Sequence, residues 1–386
     1  MIGQPVAELE TPAVVVDLGA LERNVARAGA YAREHGLALW PHLKTHKTVA
    51  VAERQRAAGV AGFTAAKTTE AERFAAHGLG PLLLHYPVFG AAKWERLAAV
   101  AGEAPLTVAL DSLAAAEGLD RALRARGTSA ELLIELDVGM RRTGVADAAA
   151  ALALAEGVER FGGSGGGGGA GGAGAGGVAG AGLRIAGISC YPGHVRGTLE
   201  QVRAGLAEVD VRLRAAREAL LAAGIRCDRV SGGSTASLFL SHETCMTEVR
   251  AGNYVFLDRS EARGAWTAED SALHVHATVV STSVPGRAVL DSGSKTLGEA
   301  GPPAGLTGWG TVVGAPGAEI VALNEEHAVC ELAGGAADAG AWRVGDRVAV
   351  IPNHVCTCVN LHDRLYAARD GVVEEVWPLI ARGAVR

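Results

Sequence analysis

Two lysines and two histidines crowd the stretch Trp40-Pro41-His42-Leu43-Lys44-Thr45-His46-Lys47, directly after the apolar run 37–39. Apolar residues that anchor, followed by polar ones, are what a strand end opening into a pocket looks like. A lysine held partly desolvated there gives up its proton more readily and becomes an amine nucleophile, the requirement for a Schiff base with an aldehyde. The plainer alternative is a solvated strand end. Far along the chain, Pro352-Asn353-His354-Val355-Cys356-Thr357-Cys358 offers a second chemistry. In extended backbone His354 and Cys356 share a side and converge on one ion, and imidazole with thiolate favours zinc over magnesium. Two protein ligands leave positions open for water and substrate, which suits a catalytic ion. Cys358 lies on the same face, either as a further ligand or as buried filler, and His362 and His327 are additional candidates.

Two more groups carry recognisable chemistry. Ser231-Gly232-Gly233-Ser234-Thr235 follows an apolar run, and successive glycines let backbone N–H groups point at one anion while the hydroxyls add donors. Asn253 and Tyr254 are placed to complete such a phosphate cup, although adjacent side chains diverge in a strand and only one of the two would reach in. Glu135 to Gly144 sets carboxylates beside Arg141 and Arg142. An arginine there holds a phenolic oxygen and does not protonate a ring nitrogen, because it stays charged; a structural salt bridge is the alternative.

Strands and helices must alternate to position these groups. Strand candidates are 37–43, 62–66, 81–85, 106–110, 131–137, 184–189, 227–230 and 249–256; helices are expected at 48–58, 68–77, 90–100, 112–126, 146–159 and 198–223. Before them, Thr11 to Leu18 reads as a buried strand and Asp17 to Gly36 carries a helix. Eight strands with crossover helices predict an α/β fold, a TIM-like (β/α)8 barrel, and no glycine fingerprint of a doubly wound sheet follows the first strand. The polar groups fall at successive strand ends, where barrel active sites are assembled. After about residue 258 short strands separated by Gly/Pro turns predict a second, mostly β domain. The expected division is a barrel over 10–258, with 1–9 and 259–386 in the β domain carrying the His354/Cys356 motif. Residues 162–182, almost wholly Gly and Ala, read as a mobile surface insertion.

Composition bounds the class. The 386 residues are 49% apolar and 20% charged with a formal charge of -6, as in a globular protein with a substantial core. No basic tract suits nucleic acid, and no convincing membrane span or leader is apparent, so a cytoplasmic protein is expected. The six cysteines show no close-set disulfide framework, which fits a reducing compartment.

In order along the chain, Thr11-Pro12, Pro-His-x-Lys-Thr-His-Lys, Asp-Val-Gly-Met-x-Arg-Thr-Gly, Tyr-x-Gly-His, Gly-Gly-Ser-Thr, Asp291-x-Gly293-Ser-Lys295, Glu-Glu-His and His-x-Cys resemble the fold-type III pyridoxal phosphate enzymes. These have an alanine-racemase-like barrel, and the likeness is to their D-serine dehydratase and D-threonine aldolase branch. The resemblance implies that Lys44 forms the Schiff base with pyridoxal 5'-phosphate. It implies that Gly233, Ser234, Thr235 and Tyr254, with Asn253, bind the phosphate, and that Arg142 or Tyr191 contacts the ring region. It also implies that His354 and Cys356 hold a divalent metal, zinc before manganese or magnesium. The catalytic set is then Lys44, His42, His354 and Cys356, acting on a D-3-hydroxy amino acid in a homodimer. Cys356, where aldolases of the branch more often carry a carboxylate, leans the expectation towards β-elimination, which turns D-serine into pyruvate and ammonia. Retro-aldol cleavage to glycine and an aldehyde is the alternative, and Tyr191-Pro192-Gly193-His194 departs from both patterns. A racemase or a non-catalytic cofactor carrier is less well matched, since neither needs the metal pair.

Overall fold

The computed structural model describes residues 1–162, 180–262, 264–333 and 342–386. Within the Gly/Ala tract expected as a mobile insertion, 163–179 lie outside the described residues. The chain forms two compact units, a barrel unit of residues 28–44, 55–252 and 384–386 and a β unit of residues 1–27, 45–54 and 253–383. Strand β1 (Ala13–Asp17) and helix α1 (Leu18–Glu34) open the chain.

The barrel unit holds β2 (Ala38–Leu39), β3 (Phe63–Ala65), β4 (Leu82–His85), β5 (Leu106–Leu110), β6 (Ser129–Leu136), β7 (Gly182–Cys190), β8 (Arg229–Gly232) and β9 (Glu248–Val249). Between them run α2 (Val49–Ala57), α3 (Thr68–Ala75), α4 (Ala91–Glu103), α5 (Leu113–Arg126), α6 (Ala148–Gly162) and α7 (Leu199–Ala222). From β3 onward each strand pairs in parallel with the next, β9 pairs in parallel with β2, and a bridge from His42 to Thr64 closes β2 onto β3. The eight-stranded parallel barrel expected from the alternation is therefore present. Apolar runs in its strands, such as Leu82-Leu83-Leu84 of β4, are fully buried, because parallel strands are covered on both faces. The helices start and stop where local chemistry dictates. A reciprocal Thr198/Gln201 capping box begins α7, and Gly127 at φ 71° ends α5 in the left-handed conformation that glycine tolerates.

The second unit alternates instead. Its elements are β10 (Leu273–Ser281), β11 (Arg287–Leu290), α8 (Ser294–Leu297), β12 (Gly310–Val312), β13 (Ala318–Leu323), β14 (Ala328–Leu332), β15 (Arg347–Pro352), α9 (Val355–Val359), β16 (Arg364–Arg369) and β17 (Val372–Pro378). Along β10, Leu273, Val275, Ala277 and Val279 are fully buried while the alternating His274, His276 and Thr278 are half-buried, the period of two of a strand with two unlike faces. Strands β10, β11, β14, β13, β12 and β15 pair antiparallel in a closed ring, and β10 continues through β1 and β16 to β17. The opening strand β1 thus lies in this sheet, antiparallel to β10 and parallel to β16.

Two strand candidates end early, and of 37–43 only Ala38–Leu39 is strand while Leu43 opens a 3-10 turn. Of 249–256, only Glu248–Val249 is strand, and Asn253–Val255 forms a 3-10 turn. Tyr254, Val255 and Phe256 are fully buried in it, so the apolar run recorded burial and not extension.

Candidate active site

Because all barrel strands are parallel, their C-terminal ends share one rim, the face that carries chemistry in barrels. His42 and Lys44 follow β2, His85 ends β4, Arg142 follows β6, Tyr191 follows β7, and Gly233, Ser234 and Thr235 follow β8. The fold brings these residues to one end of the barrel unit. Lys44 sits in the 3-10 turn Leu43–Thr45, and its main-chain N–H donates to His42 Nδ1 at 3.4 Å. Its ammonium makes no hydrogen bond or ion pair among the described residues. Lys47 does: it is buried and donates to the Ala381 carbonyl at 3.3 Å. The environment thus separates two lysines that the sequence leaves equivalent.

The Gly232–Thr235 loop is tight. Gly233 has φ +80°, and a Cβ there would stand 2.9 Å from Val249 Cγ1, so a side chain would be strained and crowded. Ser234 N donates to Ser237 Oγ at 2.9 Å, and Ser237 N returns a bond to Ser234 Oγ at 3.3 Å. Arg142 stacks over Tyr191, its guanidinium carbon 4.8 Å from the ring centre. Asp137 Oδ1 accepts the N–H groups of Gly139 and Arg141, and Asp111 Oδ2 accepts that of Gly144, so these two carboxylates shape the arginine loop. Glu135 accepts from Thr143 at 2.6 Å, and burial pushes its carboxyl up despite Arg250 and Arg142.

Among the described residues, buried polar atoms without a partner at or next to the ends of barrel strands include His85 Nε2, Glu135 Oε2 and Ser189 Oγ. With the ammonium of Lys44, which makes no hydrogen bond or ion pair among the described residues, they put unpaired polar atoms and a cation among the residues of the barrel strands and their ends. That is a fit for pyridoxal phosphate, which brings an aldehyde, a phenolic oxygen and a phosphate. Arg250 was not singled out from sequence. It is buried, donates to Ser231 Oγ at 2.6 Å and to the Cys190 carbonyl, and burial lowers its pKa from the ordinary arginine value. Its signal was an arginine in an otherwise buried strand end, a costly placement without partners.

In the β unit His354 and Cys356 are brought together, by a different backbone from the one expected. His354 is extended (φ -147°, ψ 114°) and caps α9, whereas Cys356 lies in the first turn of that helix. A hydrogen bond and electrostatic attraction join the imidazole to the Cys356 sulfur, which also lies 3.4 Å from Thr45 Oγ1. Behind the ring stands Asp258, fully buried, whose Oδ2 accepts from His354 Nδ1 at 2.9 Å, Val355 N at 2.9 Å and Asn253 Nδ2 at 2.7 Å. Oδ1 accepts from Ser260 N and Oγ. Burial alone would raise the Asp258 pKa, but these donors, His354 first, hold it below the ordinary carboxylate value. A carboxylate bonded to Nδ1 fixes the tautomer that leaves Nε2 for an ion, the usual support of a metal-binding histidine. The donor set therefore fits a divalent metal.

Asn253, expected at the phosphate, donates from Nδ2 to Asp258 while its buried Oδ1 has no partner, and Tyr254 is fully buried. Cys358 donates to the Thr296 carbonyl at 3.2 Å and burial pushes its thiol up to about 12; His362 Nε2 meets the same carbonyl at 3.0 Å, and His327 is exposed. No group of three or more His, Cys, Asp or Glu that could hold a metal occurs among the described residues. Asp258 escaped the sequence reading because it lies 96 positions from His354 and has no motif of its own.

The model of the alanine racemase N-terminal domain matches residues 16–260, and that of a putative serine dehydratase domain matches 272–368. D-threonine aldolase of Arthrobacter sp. is 35% identical over 391 residues, covering 100% of this chain and 96% of the relative. The crystal structure of D-threonine aldolase from Filomicrobium marinum superposes with a TM-score of 0.86 at 30% identity, over 100% of this chain and 99% of that one. A cysteine-to-alanine variant of D-threo-3-hydroxyaspartate dehydratase in its metal-free form superposes with a TM-score of 0.83 at 31% identity, over 97% and 98%. No helix among the described residues is long and apolar enough to cross a membrane.

Proposed function

The chain belongs to the alanine-racemase-like, fold-type III pyridoxal phosphate enzymes of the D-threonine aldolase and D-threo-3-hydroxyaspartate dehydratase branch, and we propose that it cleaves the Cα–Cβ bond of D-3-hydroxy amino acids. The products are glycine and an aldehyde. The observation that carries this over elimination is similarity to a D-threonine aldolase along the whole chain, through both units. It reverses the order of preference drawn from Cys356 alone. Elimination to a 2-oxo acid and ammonia is kept as a second reading for one reason: Cys356 offers a thiolate at the metal, and a dehydratase variant lacking a cysteine is described in metal-free form.

Lys44 would hold the cofactor as a Schiff base, with Gly233, Ser234 and Thr235 at its phosphate. Pyridoxal phosphate supplies an electron sink for the charge left on Cα when a bond there breaks. A divalent ion, zinc by the softness of Cys356, would be held by His354 and Cys356 and would supply Lewis acidity towards the 3-hydroxyl. The chain's own residues do the rest. Free Lys44 is the acid or base at Cα, returning a proton after cleavage or removing one before elimination. His42 shapes the turn that presents Lys44, accepting its main-chain N–H. Arg142, steadied on Tyr191, offers donors to an oxygen and keeps its own proton. Asp258 holds His354 in one tautomer and orientation.

Incubating the holoenzyme with D-threonine, D-serine and D-threo-3-hydroxyaspartate, and assaying glycine plus aldehyde against 2-oxo acid plus ammonia, tests the proposal. Glycine with a stoichiometric aldehyde supports cleavage. A 2-oxo acid without glycine assigns elimination, and neither product from any of the three overturns both.

A further inference from the structure

His85 is the last residue of β4 and stands on the chemical rim of the barrel. Its Nε2 is sealed from solvent and has no hydrogen-bond partner in the structure. The His85 main chain favours a proton on the ring, and Nδ1 is the ring nitrogen next to it, which leaves Nε2 without one. A neutral imidazole with its proton on Nδ1 presents Nε2 as a bare acceptor. It stays neutral because burial, then the Arg250, Lys44 and Arg142 cations, hold its pKa well below the ordinary histidine value. Glu135, a carboxyl that interacts with the same two arginines, has its pKa raised by burial. A buried acceptor left unpaired is costly, so the bound state should bring it a donor. Arg250 is no such donor, since its guanidinium is engaged by Ser231 and Cys190.

We propose that His85 is a positioning residue for the cofactor carried by Lys44, accepting at Nε2 a hydrogen bond from the protonated form of that group and so raising the pH at which the group loses its proton. This rests on the pyridoxal phosphate reading and adds to it a residue that tunes the bound cofactor. A neutral acceptor stabilises a cationic donor and not its deprotonated form, so removing the acceptor lowers the midpoint. A hydrogen bond to a charged donor corresponds to a shift of about 1 to 2 pH units.

The test is a pH titration of the bound cofactor's visible absorption band in the wild-type holoenzyme, His85→Leu and His85→Gln. The leucine variant, which has no acceptor, is expected to titrate about 1 to 2 units lower. The glutamine variant, which keeps a carbonyl acceptor, is expected to restore most of the difference, which a purely steric role would not produce. A leucine variant that binds cofactor and titrates at the wild-type midpoint overturns the role of His85 alone. A wild type that takes up no cofactor overturns this inference and the cofactor reading together. Should the leucine variant not fold, the imidazole 15N spectrum of the wild-type protein decides: the Nε2 resonance moves on cofactor loading if it accepts a bond, and an unmoved resonance refutes the role.

Discussion

Lys44 and Lys47 lie three positions apart, yet one is unpaired at the barrel rim and the other is buried against a carbonyl. Only the first is available to an aldehyde. Lys44→Ala is expected to abolish the Schiff-base absorption and lower turnover by about 10²- to 10⁴-fold, whereas Lys47→Ala should retain the band and lose stability. An unchanged spectrum in Lys44→Ala would refute the assignment. At His354 and Cys356, the pair proposed to hold a metal, the informative residue is Asp258, which touches His354. Asp258→Asn should weaken metal binding by about ten- to a hundredfold while leaving the cofactor band intact. Titrating zinc into chelator-stripped protein measures this, and wild-type affinity would show that the carboxylate does not orient His354. The two chemical stretches were legible because their residue types are concentrated in a few positions. Asp258 and Arg250 were not, because each acquires its meaning from partners distant in sequence.

The barrel strands divide their labour by end. At the rim they carry unpaired groups. At the opposite end Arg229 of β8 links four strands, bonding Glu248 of β9, Glu131 of β6 and Thr107 of β5, and lies over the Trp40 ring. Its side chain is 15% exposed and that of Glu248 6%, so removing the arginine strands a buried carboxylate. Arg229→Ala is expected to cost about 3 kcal/mol, seen as a melting temperature several degrees lower, with little change in turnover per cofactor bound. Adding Glu248→Gln should recover part of the loss, and an unchanged melting curve would contradict the account. Element boundaries were readable where local chemistry sets them: α7, expected over 198–223, spans Leu199–Ala222 behind its capping box. They failed after His354, where extended backbone was expected through Cys356 and the structure forms α9 over Val355–Val359. Strand propensity measures fit to a half-buried surface, and here tertiary context prevails over it.

At the scale of the whole molecule, the alternation of eight apolar runs with amphipathic helices made the barrel legible, and the return of period-two patterning marked the second unit. The location of β1 was not legible, because four consecutive buried residues suit either sheet. Its partner β10 carries a consequence for stability. His276, opposite Ala13 of β1 and Ala349 of β15, is held to about 4 by burial first and then by His274 and Arg347. His274 is lowered too, by burial, with Asp17 partly opposing. In the unfolded chain His276 takes up its proton as the pH falls through the ordinary histidine value of 6.5, whereas the folded chain refuses it until about 4. Between those values the unfolded state binds more protons, so acid destabilises the fold; above the window the contribution is fully present. His276 alone should remove about 1 to 2 kcal/mol by about pH 5. Denaturant midpoints measured between about pH 8 and about pH 5 should fall accordingly, and His276→Gln should flatten the slope without abolishing it, since His274 continues to titrate. A slope identical in wild type and variant would show that His276 exchanges its proton equally in both states.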